Sequence, residues 1–171
     1  MSRGAAARLL GFRLGATPAA LPLEAVREVL EAPWIVPIPG SHPHVAGVAL
    51  KRGVALPVYD LTRFVPLWEA RVAPVRAAGR LQAPHLIVCG FEEVLLGVLG
   101  DGVDLVKDPS PVEAPEELGA VRLEYVRGLV LSGDEVVALL DPAKLFPSLG
   151  VPAEGSPSAR EDAGEEVPAG R

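Results

Sequence analysis

Hydrophobic residues in this chain come in short runs of five to seven, most of them ended by glycine, proline or a polar cluster. Leu9 to Leu14, Val45 to Leu50, Val54 to Tyr59, His85 to Cys89, Val94 to Leu99, Tyr125 to Leu131 and Val136 to Leu140 are all rich in Val, Leu and Ile. Runs of that length and composition predict β-strands, because an amphipathic helix needs apolar positions repeated over several turns. Leu23 to Leu30 reads as a short helix, yet Val26, Val29 and Leu30 also suit a strand, and Pro33 stops either one. The two ends are polar. Residues 1–8 read as a loose arm, 9–147 as the folded body and 148–171 as a disordered acidic tail. The tail holds Pro152, Pro157, Pro168, Glu161, Asp162, Glu165 and Glu166 and has almost nothing to bury.

Sliding the chain against itself reveals a repeat. With an offset of 81 residues and no gap, Gly47 to Asp60 lies over Gly128 to Asp141. In both copies a glycine opens an apolar run and a polar turn follows, Lys51 to Gly53 or Ser132 to Asp134. A second apolar run then ends in an aspartate. That is a β-hairpin written twice. Upstream, Leu21 to Val29 lies over Val98 to Val106 at an offset of 77. Two similar β-barrels are the economical architecture.

Composition bounds the function. At 171 residues the chain has the length of one ordinary domain, or of two very small ones sharing a core, and its 49% hydrophobic content supplies that core. The 18 glycines and 18 prolines are scattered among the apolar runs, which favours many turns. A net charge of -6 argues against a nucleic-acid ligand, whose binding would need clustered cations, and favours a protein partner. Arg3, Arg8 and Arg13 interrupt the N-terminal apolar pieces, so no secretory signal is legible. No run reaches the roughly 18 apolar residues of a spanning helix, so no membrane insertion is expected. One cysteine, Cys89, has no internal disulfide partner and agrees with a reducing, cytoplasmic location.

The segment Gly47 to Leu61 resembles the signature of CheW-type coupling proteins, a glycine, two apolar residues, Asn-Leu-Arg-Gly, then proline and Asp-Leu. It carries Gly47, Arg52, Gly53, Pro57, Asp60 and Leu61 in register. Phe12-Arg13-Leu14-Gly15, Val26-Arg27-Glu28-Val29 leading to Pro37-Ile38-Pro39, and Tyr125-Val126-Arg127-Gly128 leading to Leu139-Leu140-Asp141 agree in order, so the resemblance spans about residues 9–147. It implies a mainly all-β fold of two intertwined five-stranded, SH3-like barrels with short helices. It also implies a non-enzymatic adaptor without cofactor, whose partners are the regulatory domain of a CheA-type histidine kinase and the cytoplasmic tip of a methyl-accepting chemoreceptor. Leu50-Lys51 stands where the family usually has Asn-Leu, and Ala19-Ala20 where an aromatic is common. A partner other than the standard pair is therefore open.

An adaptor of this kind binds through apolar strand faces with an arginine to fix orientation. Val48, Leu50, Val54, Leu56 and Val58 are the apolar candidates, although alternate strand residues face opposite ways. Lys51 and Arg52 sit at the hairpin tip, and the plainer reading of Arg52 is a solvated turn residue. The family pattern pairs Glu28 with the Arg-Gly turn, which implies a Glu28–Arg52 ion pair holding the arginine for a partner. Gly47, Gly53 and Gly128 are assigned to backbone geometry, and Asp60 and Asp141 to turn or helix capping rather than catalysis.

No catalytic or metal site is expected. His42, His44, His85 and Cys89 lack the paired spacing of structural zinc ligands, and neither a nucleophile elbow nor a phosphate-binding loop is present. The alternative class is a small all-β ligand-binding or enzymatic domain using the crevice between the barrels. A buried polar cluster there would favour it. An open apolar groove with Arg52 on its rim would favour the adaptor.

Overall fold

The hairpin is the unit from which the molecule is built. A computed structural model describes residues 8–31, 34–64, 81–113 and 124–150. Eleven strands follow in chain order among these residues: β1 (Leu9–Leu14), β2 (Thr17–Pro22), β3 (Val26–Leu30), β4 (Ile35–Val36), β5 (Val45–Lys51), β6 (Val54–Tyr59), β7 (His85–Phe91), β8 (Val94–Leu105), β9 (Ser110–Val112), β10 (Val126–Ser132) and β11 (Glu135–Leu140). One α-helix, α1 (Pro142–Ser148), closes the described part. Leu23 to Leu30 is not a helix: Leu23–Ala25 makes one 3-10 turn, and β3 begins at Val26. There the β-branched residues pair with β7, Val26 against Cys89 and Val29 against Ile87.

Hydrogen bonding runs β4-β5-β6-β8-β1-β2-β11-β10-β9, with β7 joined to both β8 and β3. The twelve-residue β8 divides the sheet into two barrels. Its first half pairs with β7 and, in parallel, with β6, whereas its second half pairs with β1. One barrel holds β3 to β8. The other is assembled from both ends of the described chain, β1 and β2 with β9 to β11, so the barrels are intertwined. Each counts five strands if β3 with β4, and the end of β8 with β9, are taken as single broken strands.

The repeat is visible in the register. Gly47 lies opposite Val58 and Lys51 opposite Val54. Gly128 lies opposite Leu139 and Ser132 opposite Glu135, each 81 residues later. Both hairpins are then added in parallel to a neighbouring strand, Val58 beside Gly97 and Leu139 beside Ala20. Gly97 follows Ala20 by 77, the second offset seen in the sequence.

Alternation along the strands sorts the core into three clusters. Leu10, Phe12 and Leu14 of β1 point into the central cluster with Leu21, Tyr59, Ile87, Leu96, Val98 and Leu140. Leu9 points the other way, into the small core of the second barrel with Ala20, Val130 and Val137. The first barrel is filled by Ala49, Leu56, Val58, Leu86, Val88 and Leu99. Helix α1 lays Leu145 and Phe146 on the central cluster, and Leu149 beyond it is also buried. The packed body therefore extends past the boundary expected at residue 147. It also includes Arg8, whose carbonyl accepts a hydrogen bond from Leu23 N at 2.8 Å. The rest of the expected arm and tail, residues 1–7 and 151–171, lies outside the described residues, as do residues 65–80.

Candidate partner-binding face

Strands β5 and β6 are apolar on both sides, and only one side is needed for the barrel core. Ala49 faces inward together with Leu56 and Val58. Val48 and Leu50 share the outward face with Ala55 and Pro57, which lie opposite Leu50 and Val48. Across the other edge Val36 of β4 lies opposite Val48, and the register carried back by two residues brings Trp34 beside Leu50. Trp34 is 86% exposed and Leu50 74% exposed, and Val36 and Ile38 are exposed too; Val54 is also exposed but lies opposite Lys51, with the other parity. Trp34, Val36, Leu50 and Ala55 thus form an exposed apolar face on the first barrel.

Three of the five apolar contacts expected are not on this face, Val54 because it lies opposite Lys51 and shares its parity. Leu56 and Val58, 1% and 0% exposed, belong to the first barrel's core, because the strand pleat turns them inward. Conversely, Trp34, Val36, Ala55 and Pro57 were not among the sequence candidates. The signal for them was the alternation of Trp34, Val36 and Ile38 beside Pro37 and Pro39, which reads as an edge strand with one apolar face.

The hairpin tip is a two-residue turn in which both residues have positive φ, 48° at Arg52 and 80° at Gly53. This is the handedness that fits the twist of the flanking strands. The turn projects Arg52 off the end of the barrel, and Arg52 is exposed. Glu28 does not reach it. Lys51 has the parity of Ala49, faces the side on which β3 runs, and forms the ion pair with Glu28 itself. Arg52 has no ion pair among the described residues. A cation thus stands free beside an apolar face.

The remaining turn residues divide by geometry. Gly47 has φ 146°, and a Cβ on it would lie 2.2 Å from the Val36 carbonyl oxygen, so β4 approaches β5 only because that atom is missing. Gly128 occupies the matching register shift of the second hairpin but has neither a positive φ nor a neighbour within 4 Å of such a Cβ. Asp60 Oδ1 accepts from Thr62 N at 3.0 Å and from Thr62 Oγ1 at 2.6 Å, capping the 3-10 turn Leu61–Arg63. Asp141 Oδ1 accepts from Ala143 N at 3.1 Å at the start of α1, with Pro142 in the first helical position.

Two of the three histidines stand in an aromatic ladder. His42 stacks on His44 at 5.5 Å, and His44 meets Phe64 edge-on at 5.1 Å. Phe64 meets Tyr125 at 5.4 Å, which ties the two barrels together. Burial pushes the Cys89 thiol up to about 12, with nearby Arg27 opposing the shift, so it stays protonated at neutral pH. Among the described residues no three His, Cys, Asp or Glu side chains converge on a point, and no helix is long and apolar enough to cross a membrane.

Two β-barrels interlocked through a shared strand, with an apolar outer face on one of them, define the class as an intertwined double barrel. Residues 8–150 match the CheW-like domain, and the chain belongs to that family. Protein FrzA of Myxococcus xanthus is 35% identical over 139 residues, covering 79% of this chain and 82% of FrzA. Chemotaxis protein CheW of Treponema pallidum is 25% identical over 144 residues, covering 82% of each. The fold is also that of the scaffolding protein TtCheW from Thermoanaerobacter tengcongensis, with a TM-score of 0.59 and 18% identity over 79% of this chain and 88% of that one.

Proposed function

We propose that this chain is a non-enzymatic cytoplasmic adaptor that couples a methyl-accepting chemoreceptor to a CheA-type histidine kinase. The observation that carries the reading is the outward apolar face of β4, β5 and β6 with the unpaired Arg52 on its rim, in a chain of the CheW-like family. Apolar side chains contribute most of the energy at such a face, and a cation at the edge selects a partner carrying a carboxylate. Lys51 supports the same role indirectly. By engaging Glu28 it spares Arg52 for the partner, which fits the departure from Asn-Leu at these positions.

Reconstitution tests the reading. The purified chain is mixed with a kinase and a receptor cytoplasmic fragment from the same genome, and kinase autophosphorylation is followed with and without it. Receptor control of the kinase is expected with the wild type and is lost, by about tenfold or more, with Arg52→Glu or Leu50→Asp in folded protein. Failure of the wild type to bind either component would sink the proposal.

A further inference from the structure

The repeat lets the first barrel serve as a reference for the second. Hairpin β7–β8 corresponds to β1–β2 at an offset of 77, which makes Gly11 the counterpart of Val88. In the first barrel Glu28 of β3 lies across from Val88, and Lys51 closes the barrel end by pairing with Glu28. In the second barrel Asp104 of β8 lies across from Gly11, so by strand register Asp104 takes the place of Glu28, although the sequence offset of 77 alone carries Glu28 onto Leu105. The counterpart of Lys51 is Ser132. The register position holds a carboxylate in both barrels, and only the first has an ammonium to answer it.

A recess of about 270 Å³ opens at this end of the second barrel. Asp104, Ser132 and Glu135 line it together with the apolar Pro18, Val106 and Val137. Glu135 is occupied by Arg13, whose guanidinium donates to it at 2.6 Å. Asp104 accepts a hydrogen bond from Leu105 N at 2.7 Å through Oδ1, and no cation among the described residues pairs with it. Arg13 and Lys107 also line it.

We propose that the recess binds a primary alkylammonium group, filling the place that the Lys51 side chain takes in the first barrel. An ammonium has three donors and no acceptor, and the Asp104 carboxylate and the Ser132 hydroxyl oxygen are acceptors. The alkyl stem lies along Pro18, Val106 and Val137, as a lysine stem lies along apolar surface. Arg13 is neutralised by Glu135, whereas Lys107 opposes a second cation, so binding is weak, with a dissociation constant on the order of 1 mM. The group comes from a free aliphatic amine or from a lysine side chain of another protein. This site is separate from the β4–β6 face and does not depend on the adaptor reading.

The test is a titration of the isotopically labelled full-length chain, followed by amide NMR shifts, with n-butylammonium at neutral pH and fixed ionic strength. Butyrate and n-butanol are the matched controls. Saturable shifts around Gly11, Asp104, Ser132 and Val137 are expected with butylammonium, with affinity at least tenfold weaker for both controls. Asp104→Asn should weaken binding about tenfold or more. Ser132→Lys, which restores the first barrel's arrangement, should abolish it, and the spectra themselves report whether each variant is folded. Equal binding of acetyl-lysine amide assigns the group to a protein lysine, and binding of butylammonium alone assigns it to a free amine. Equal shifts with butyrate or butanol, or unchanged affinity in both variants, would overturn the proposal.

Discussion

Gly47 lies so close beneath Val36 that a Cβ on it would stand 2.2 Å from the Val36 carbonyl oxygen, a separation no side chain tolerates. Its partner in the repeat, Gly128, has open space in the same direction. Gly47→Ala should therefore cost about 2 kcal/mol or more, from displaced backbone and an unfavourable φ together. Gly128→Ala should change stability by less than about 0.5 kcal/mol. Thermal melts of the two variants side by side check this, and equal losses would contradict the geometry.

Leu50 and Leu56 are neighbours across the same hairpin with opposite fates. Leu56→Ala opens a cavity in the first barrel and should lose about 2–5 kcal/mol of stability. Leu50→Ala removes an exposed side chain, so denaturant unfolding should shift by about 0.5 kcal/mol or less. Partner binding should nevertheless fall with the Leu50 variant. A binding assay on that folded protein separates the two roles.

Arg52 holds a left-handed conformation that costs a non-glycine residue roughly 1 kcal/mol, less for asparagine. Arg52→Asn should accordingly stabilise the free protein by about 0.5 kcal/mol while weakening its complex with a kinase or receptor. Chemical denaturation and calorimetric binding give the two numbers. A variant that is both less stable and unchanged in binding would place the arginine's role in the fold instead.

Cys89 makes stability depend on alkaline pH. Its thiol is held neutral by burial, up to about 12 against an ordinary value of 9.0, so the folded chain keeps its proton where the unfolded chain has lost it. Stability is fully present below about pH 9 and declines as pH rises toward 12. The loss is on the order of 1 kcal/mol by pH 10. Tyr59, raised by burial as well, acts in the same direction at higher pH. Cys89→Ala should show a correspondingly smaller loss between pH 7 and pH 10 in denaturation midpoints.

Seven of the eleven strands, the doubled hairpin and the two capping aspartates were legible in the sequence because each is a local pattern, whereas β2, β4 and β9 are proline-containing or very short and β3 read first as a helix. Five or six apolar residues closed by a turn pair with the next such run, and an aspartate before Leu-Thr or Pro-Ala finds its backbone N–H two residues on. The offsets of 81 and 77 also relate the two parallel pairings to each other, since both hairpins dock on equivalent strands.

Which side of a strand meets water could not be read in the same way. In β5 and β6 almost every position is apolar, so no polar alternation separates Leu50 from Leu56, and the barrel's curvature alone decided it. The partner of Glu28 turned on a single step along the chain, from Arg52 to Lys51, because successive residues leave a strand in opposite directions. The face built from Trp34, Val36, Leu50 and Ala55, and the recess beside Asp104, unite residues far apart in sequence. Periodicity specifies which residues can form a strand, whereas long-range packing specifies what each side chain faces.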